Sequence, residues 1–504
     1  MKQKLSPEMN RKAWLYAALI VLMMLLAGAG LALLLVPGLS GRTMLPEPDA
    51  ELLAAAEGLD QIRIDAVLDP DGRTLTFTQE MTLTNRTGQD QSAIVLRSWS
   101  GAYLQQETSP CATDELFYSC YTGGFDPGGL SVEGAALGAQ NAQAAWLDDA
   151  QTVLSVPADW KSGETLVLTL QCRAVIPRCA SRFGYADGVF MLGNVFPVAA
   201  LWQDGAWRTD TYVPIGDPFL SECANWHVTL RMPQGYTAAS TAAPVREASG
   251  VYAFEALAVR DFALVISEDF STAKAMEDGV LVTACARSRE DAEMMLRYAR
   301  QALRSYTKRW GDYAYPAFTL AEAVFPYGGM EYPGMVMISA DVIAGNRTVL
   351  EYTIAHETAH QWWAVMVGSD GYNQPWQDES LCEYAWLDYV ADHYSLSDRQ
   401  QMAFDRIETA LRITIPGGVT PGSPLDYFSD LTQYSRIVYQ RGAALWCALE
   451  IHLGKDGLDA MLRDYQQRFR FRVATREELT RLISEHAGMD MSALMTDYLD
   501  TLMN

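Results

Sequence analysis

The segment 352–363 carries the residues best suited to metal chemistry. His356 and His360 stand four positions apart, so on a helix both imidazoles project from one face and can bind the same Zn²⁺ ion. Glu357 then lies beside the water that such a zinc ion activates, where a carboxylate can act as a general base. The alternative is a helix with two surface histidines. We interpret the pattern as a zinc site with His356 and His360 as metal ligands and Glu357 as the catalytic base.

A third ligand is expected, because catalytic zinc ions usually keep three protein ligands and one open position. Glu379 follows His360 after eighteen residues, which leaves room for the end of one helix, a loop and the start of another. We therefore predict that Glu379 completes the metal site. Glu383 lies one helical turn further on, and is either an acid that supports the site or a carboxylate on a solvated helix face.

This arrangement resembles the aminopeptidase N and leukotriene hydrolase family of thermolysin-like zinc peptidases, the gluzincins. The segment Gly328-Gly329-Met330-Glu331-Tyr332 is similar to the family's Gly-x-Met-Glu-Asn motif, with Tyr332 in place of the usual Asn. The resemblance implies that Glu331 binds the free α-amine of a peptide substrate, with Gly329 and Met330 beside it. It also implies one Zn²⁺ per chain.

A further segment, 438–443, is similar to the family's Tyr-x-x-Gly-Ala pattern. The resemblance implies that Tyr439 is catalytic and stabilises the oxyanion, although Tyr439 and Tyr434 could each be only a packed aromatic side chain. In relatives, a Gln or Glu of the N-terminal domain also holds the amine. The segment 193–197 is only loosely similar to the part of the relatives' sequence that carries this Gln or Glu. No residue is assigned to that role.

The elements that must position these residues suggest an α+β protein. Over residues 61–270 short runs alternate between apolar and polar, as at Leu75, Phe77, Met81 and Leu83, which predicts a β-rich N-terminal domain. The resemblance adds that this domain is saddle-like. Helical spacing begins behind a Ser288-x-x-Asp291 capping pattern. Residues 271–504 are therefore expected to form a helix-rich, thermolysin-like catalytic domain, with a strand-like run at 318–325.

The N-terminal region predicts a membrane anchor. Residues 1–12 contain four basic side chains and one acidic side chain, and residues 13–36 contain no charge. A helix of that length can cross a bilayer, and the basic flank favours a cytoplasmic N-terminus. We expect a transmembrane helix at 13–36, a stalk at 37–60 and an extracytoplasmic catalytic domain. The alternative is a cleaved signal peptide.

Charge and cysteine content limit the partners, disulfides and structural metal sites that the chain is expected to have. The chain has 38 Lys and Arg against 62 Asp and Glu, a net charge of −24, which disfavours nucleic acid as a partner. Cys111 with Cys120 and Cys172 with Cys179 are close enough in sequence to form disulfides, or they are small buried hydrophobic residues. The sequence contains no Cys-x-x-Cys motif, so it does not indicate a zinc ribbon.

These observations favour a membrane-anchored zinc metallopeptidase, an aminopeptidase acting on peptide substrates. Two alternatives stay open. One is an oligopeptidase or endopeptidase with an open cleft, because the chain ends at Asn504, about where the catalytic domain of relatives would end. The other is an inactive anchored binding protein, whose expected signature is a lost ligand or a lost base.

Overall fold

The computed structural model describes residues 45–111, 114–413 and 417–502. The expected cytoplasmic segment 1–12, the membrane helix 13–36 and the first residues of the 37–60 stalk lie outside this part of the chain. Within the described ranges, no helix is both long enough and apolar enough to cross a membrane. The later part of the stalk contains a short helix, α1 (Ala50–Ala56), which leads directly into the first strand.

The N-terminal half is rich in β structure, as its alternating pattern predicts. Eight strands of the described chain form a sheet in the order β16-β17-β14-β1-β2-β8-β4-β5, in which β1 and β14 pair in parallel and the other neighbours are antiparallel. In β1, Ile62, Ile64, Ala66 and Leu68 are buried while the residues between them are exposed, because only one face of the sheet packs against the core. Smaller sheets, β15-β18-β10-β9 and β11-β3-β7-β6, and the hairpin β12-β13 complete this half.

The strands of the N-terminal half have the following bounds: β1 Asp60–Asp69, β2 Thr74–Thr84, β3 Gln91–Arg97, β4 Gly129–Leu137, β5 Gln140–Ala142, β6 Ala145–Trp146, β7 Val153–Trp160, β8 Thr165–Val175, β9 Phe183–Ala186, β10 Val189–Leu192, β11 Val198–Ala199, β12 Trp202–Gln203, β13 Ala206–Trp207, β14 Ala224–Arg231, β15 Thr237–Ser240, β16 Pro244–Ala248, β17 Val251–Val259 and β18 Leu264–Ser267. A turn of 3₁₀ helix at Trp99–Leu104 and helix α2 (Asp114–Cys120) follow β3.

A five-stranded sheet opens the C-terminal half and borders the predicted metal site. Its strands within the described chain are β19 (Ser271–Glu277), β20 (Val280–Ala286), β21 (Ala317–Ala323), β22 (Gly329–Met330) and β23 (Met335–Ser339), arranged in the order β19-β20-β21-β23-β22. β21 is buried along its whole length and accounts for the predicted strand-like run. The short strand β22 pairs antiparallel with β23 and forms one edge.

Helices make up most of the remaining chain. Helix α3 (Arg289–Trp310) begins where the capping pattern predicts, since the Ser288 hydroxyl accepts a hydrogen bond from the Asp291 amide at 3.1 Å. The helices that follow are α4 Ala340–Ala344, α5 Arg347–Ala359, α6 Trp376–His393, α7 Leu396–Ala403, α8 Thr409–Arg412, α9 Leu431–Tyr434, α10 Gly442–Leu453, α11 Lys455–Phe469, α12 Arg476–Ala487 and α13 Ser492–Leu499. A 3₁₀ turn lies at Leu425–Tyr427, and two π-helical segments lie at Phe404–Glu408 and Ser435–Arg441. The predicted α+β class, with a β-rich half followed by a helical half, is confirmed.

Candidate active site

Two helices bring the three predicted ligands into contact. His356 lies in the last turn of α5, His360 caps the end of that helix, and Glu379 lies in the first turn of α6. The Nε2 atoms of the two histidines are 3.1 Å apart, and the Glu379 Oε2 atom is 3.2 Å from His356 and 3.1 Å from His360. All three side chains are buried.

This triangle fits a zinc ion. Ligand bonds of about 2.0–2.1 Å in tetrahedral geometry separate the donor atoms by roughly 3.3 Å, close to the three distances observed. The His360 Nδ1 atom lies 3.1 Å from the Trp363 carbonyl, so the hydrogen bond places the proton on Nδ1 and leaves the Nε2 lone pair facing the triangle. Burial opposes ionisation of Glu379, but the neighbouring His360 and His356 outweigh it and lower the pKa of that carboxyl. The donor set is therefore two imidazoles and one carboxylate, as catalytic zinc requires.

The predicted base, Glu357, lies against the edge strand β22. A Cβ atom on Gly329 would come within 2.3 Å of the Glu357 side chain, so only glycine lets this strand approach the base so closely. Burial raises the pKa of Glu357 to about 8, and the charges of Glu379 and Asp217 act in the same direction. Its Oε2 atom has no hydrogen-bond partner among the described residues. An unpaired buried carboxylate oxygen beside a metal triangle is well placed to accept a proton.

Tyr439 lies in direct contact with the metal triangle. Its hydroxyl donates to the Glu379 Oε1 atom at 2.5 Å, and its ring stacks on His356 with centroids 5.4 Å apart. The π-helical segment Ser435–Arg441 carries this side chain. Tyr434 packs edge-on against Tyr439 and lines the same cavity.

Glu331 follows strand β22 and faces the same space. One carboxylate oxygen of Glu331 lies within 4.8 Å of both the Glu357 carboxylate and a His360 ring nitrogen. Asp217, from the N-terminal half, lines the cavity with it and accepts a hydrogen bond from the Arg182 guanidinium at 2.6 Å. Burial raises the pKa of Glu331 well above its usual range, and the charge of Asp217 adds to that rise. Two carboxyl groups from different halves of the molecule therefore line the same cavity.

Met330 and Tyr332, on either side of Glu331, are buried and hold it in place. The Met330 sulfur accepts a hydrogen bond from the Arg182 Nε atom at 3.0 Å. The Tyr332 hydroxyl donates to the Asn194 Oδ1 atom at 2.8 Å, and the Asn194 amide donates to Asp261 at 2.7 Å. Tyr332, which stands where the family motif has Asn, thus ties the Glu331 segment to the N-terminal half.

Glu383 is buried, with 1% of its surface exposed, so the alternative of a solvated helix-face carboxylate is wrong. It accepts hydrogen bonds from the Tyr352 hydroxyl at 2.7 Å and from Arg406 at 3.0 Å. Tyr352 in turn packs against the His356 ring. Glu383 therefore supports the metal triangle from behind.

A cavity of ≈ 260 Å³ joins these groups. Of the residues predicted from sequence, its wall contains the following: Gly329, Glu331, His356, Glu357, His360, Glu379 and Tyr439. Arg182 and Asp217 also line it and were missed. The sequence did hold a signal for Asp217, because this acid stands between Gly216 and Pro218, residue types common in turns, and in the structure Gly216 has a positive φ of 67°.

Comparison with known proteins confirms the resemblance. Residues 295–498 match the model of the Peptidase family M1 domain. The chain is 30% identical over 196 residues to the leukotriene A-4 hydrolase of Xenopus laevis, covering 37% of this chain and 31% of that protein. It is 24% identical over 280 residues to the aminopeptidase N of Lactococcus lactis subsp. lactis, covering 51% and 32%. The chain thus spans about a third of the length of these curated relatives.

Solved structures share the fold over most of the chain. An M1 zinc metallopeptidase from Deinococcus radiodurans superposes with a TM-score of 0.62 at 16% identity, covering 88% of this chain and 95% of that one. Native yeast LTA4 hydrolase gives a TM-score of 0.63 at 14% identity, covering 88% and 67%. Residues 295–498 therefore match the peptidase family M1 domain, and the chain shares its fold with M1 zinc metallopeptidases.

Proposed function

We propose that this protein is a zinc aminopeptidase that removes N-terminal residues from peptides. The observation that carries the proposal is that the metal triangle, the carboxylate of Glu357 and the carboxylate of Glu331 share one cavity. The first two cleave a peptide bond, and the third recognises a free amine close to that bond. Supporting it, a structure of the Deinococcus radiodurans relative is described as a mutant bound to a Tyr-Ser-Ala substrate.

The catalytic groups divide the work as follows. His356, His360 and Glu379 hold the zinc ion, which when bound supplies a Lewis acid that polarises the scissile carbonyl and lowers the pKa of water. Glu357 accepts the proton of the attacking water and passes it to the leaving amine. Tyr439, whose hydroxyl already reaches the carboxylate of Glu379, donates a hydrogen bond to the developing oxyanion.

Substrate orientation follows from the edge strand and the two acids. β22 is the edge strand of its sheet, so an extended peptide can pair with its free side. Glu331 and Asp217 then face the end of that peptide, and the positive α-ammonium group offsets the repulsion between their charges. Because the ammonium group binds here, the bond presented to Glu357 is the first one in the peptide.

The test compares one peptide with a free N-terminus and the same peptide N-acetylated. We expect the parent to cleave the free peptide far faster, and Glu331→Gln to lose most of that difference while keeping its zinc. Glu290→Gln, an exposed acid in the first turn of α3, is the matched control and should behave like the parent. Equal cleavage of both peptides by the parent would favour an endopeptidase instead. Zinc binding without cleavage of either peptide would favour the inactive binding protein.

We also propose that residues 13–36 anchor the protein in a membrane with the catalytic domain outside. Its support is the uncharged run behind a basic N-terminus. The protein should sediment with membranes and resist alkaline carbonate extraction, and deletion of residues 13–36 should release it. Recovery of the undeleted protein in the soluble fraction would contradict the anchor.

A further inference from the structure

Three cysteines meet in the N-terminal half, away from the metal triangle. Cys111, Cys120 and Cys179 are buried, and their three sulfur atoms all lie within 4.8 Å of one another. The Cys111 and Cys179 sulfurs are 3.9 Å apart. None of the eight cysteines, all of which fall in the described ranges, forms a disulfide, so neither predicted pair is present. Cys179 lies with Cys111 and Cys120 instead of with Cys172.

Hydrogen bonds link the three segments that carry these thiols, and the segment of Cys111 is joined to that of Cys120 through Ser109, whose hydroxyl pairs with the Tyr121 hydroxyl at 2.9 Å. Cys120 ends helix α2, and its carbonyl accepts a hydrogen bond from the Ala180 amide at 2.9 Å. The turn that carries Cys179 packs closely on strand β9, since a Cβ atom on Gly184 would come within 2.0 Å of the Cys179 carbonyl oxygen. The backbone therefore holds the sulfurs together without a covalent bond between them.

The spacing suits a metal ion. Metal–sulfur bonds of about 2.3 Å separate the sulfurs by roughly 3.8–4.0 Å, in either tetrahedral or trigonal geometry. Thiolates select soft or borderline ions such as Zn²⁺ and Cu⁺. Hydroxyl groups are also close, because the Ser109 hydroxyl accepts a hydrogen bond from the Cys111 amide at 3.4 Å and pairs with the Tyr121 hydroxyl at 2.9 Å. These hydroxyls offer a weak fourth donor to Zn²⁺, whereas Cu⁺ is satisfied by three thiolates.

We propose that Cys111, Cys120 and Cys179 form a second metal site that binds one thiophilic ion, Zn²⁺ or Cu⁺, separate from the catalytic zinc. Binding releases the thiol protons and involves no change in oxidation state of the sulfurs. The ion would cross-link α2 to the segment before β9. Arg182, three residues after Cys179, lines the candidate active site, so the ion would also stiffen one wall of that cavity.

Cobalt substitution gives the most direct test. The catalytic triangle has no sulfur ligand. A thiolate-to-cobalt charge-transfer band in the Co²⁺-loaded full-length protein therefore reports a separate site with cysteine ligands. We expect this band in the parent and in Cys172→Ser, and expect Cys179→Ser and Cys120→Ser to lack it. Cys172 is the matched control because it is buried in the same half of the molecule and lies outside the cluster.

Metal content separates this proposal from the proposed catalytic function. With zinc, we expect two ions per chain in the parent, one in Cys179→Ser and one in Glu379→Gln. If the cysteine site prefers copper, the parent should hold one zinc ion and, under reducing conditions, one Cu⁺ that Cys179→Ser loses. A parent without the cobalt band that binds neither extra ion, or whose mass shows the loss of two hydrogens by a disulfide among these thiols, would overturn the proposal. Loss of the catalytic zinc alone would count against the proposed catalytic function and would not contradict the cysteine metal site.

Discussion

Two buried clusters in this molecule each gather three metal-binding side chains, and the chain assembles them differently. His356, His360 and Glu379 come from two consecutive helices and lie in the wall of a cavity with a free carboxylate beside them. The cysteine cluster, Cys111, Cys120 and Cys179, comes from a loop, a helix end and a turn, and it is surrounded by hydroxyl and aromatic side chains.

The difference between the clusters distinguishes a catalytic metal ion from a structural one. The helical triangle leaves room for water and substrate, and a general base lies within reach, so an ion there can do chemistry. Among the side chains that the structure describes, no comparable acid or base belongs to the cysteine cluster, so an ion there would act on stability. Structural metal sites are closed, whereas catalytic sites keep an open position.

Removing one ligand from the helical triangle should give the largest effect. In Glu379→Gln the neutral amide binds zinc poorly and leaves two imidazoles without the negative charge, so we expect loss of zinc and of all measurable peptide hydrolysis. The melting temperature should change less than it does in Cys179→Ser. Calorimetry and metal analysis on both variants check this contrast. Retention of full activity by Glu379→Gln would show that Glu379 is not a ligand of the catalytic zinc ion.

Removing the base should separate chemistry from metal binding within the triangle. Glu357→Gln keeps the shape of the side chain but cannot accept a proton, and general-base catalysis typically contributes about 10²–10⁴-fold in rate. We expect kcat to fall by that order with the zinc content unchanged. Metal analysis on the assayed sample is the control. A variant that lost zinc as well would show that Glu357 supports the metal site structurally.

The two clusters also differ in whether the sequence alone could predict them. The helical triangle was predictable because two ligands share one helical turn and the third follows after eighteen residues, so local geometry brings them together. The β-rich and helical halves were predictable from periodicity for the same reason. The cysteine cluster was not, because Cys179 meets Cys111 from 68 residues away only through the packing of the N-terminal half.

Asp217 shows the same limit within the active site. Gly216 and Pro218 indicate a bend in the chain around Asp217, but only the packing of the two halves places its carboxyl group in the cavity with Glu331. Glu383 was recognised as an acid on the right helix, but its ion pair with Arg406 depends on a π-helical segment that no spacing pattern indicated.

Tyr439→Phe should have an intermediate effect. The hydroxyl is lost while the ring that stacks on His356 is kept, so zinc binding should persist. Removal of one oxyanion donor typically costs about 10²–10³-fold in kcat, with less change in KM. Steady-state kinetics on the free peptide measures both constants. Tyr434→Phe is the matched control, and an equal loss of kcat in both variants would point to packing instead of oxyanion binding.

The smallest expected effect concerns Asp261, a buried carboxyl that belongs to neither cluster and provides a reference for both. Burial raises its pKa to about 7, although hydrogen bonds from Phe262 and Asn194 oppose the rise. Because the folded pKa lies above the ordinary value, its contribution to stability is complete below about pH 4 and is lost as the pH rises through 7.

We therefore expect the stability of the parent to fall relative to that of Asp261→Asn between about pH 4 and pH 7 and to level off above pH 7, with a limit of about 1.4 kcal/mol per pH unit, and melting temperatures across this range follow it. The slope against pH is the readout, since the amide also loses one hydrogen bond to Asn194 and shifts the absolute stability. Asp269→Asn, at an exposed position nearby, should keep the slope of the parent. Parallel curves for the parent and Asp261→Asn would show that this carboxyl does not gain a proton on folding. Asp261 would then be ionised at neutral pH while it accepts the hydrogen bond from Asn194.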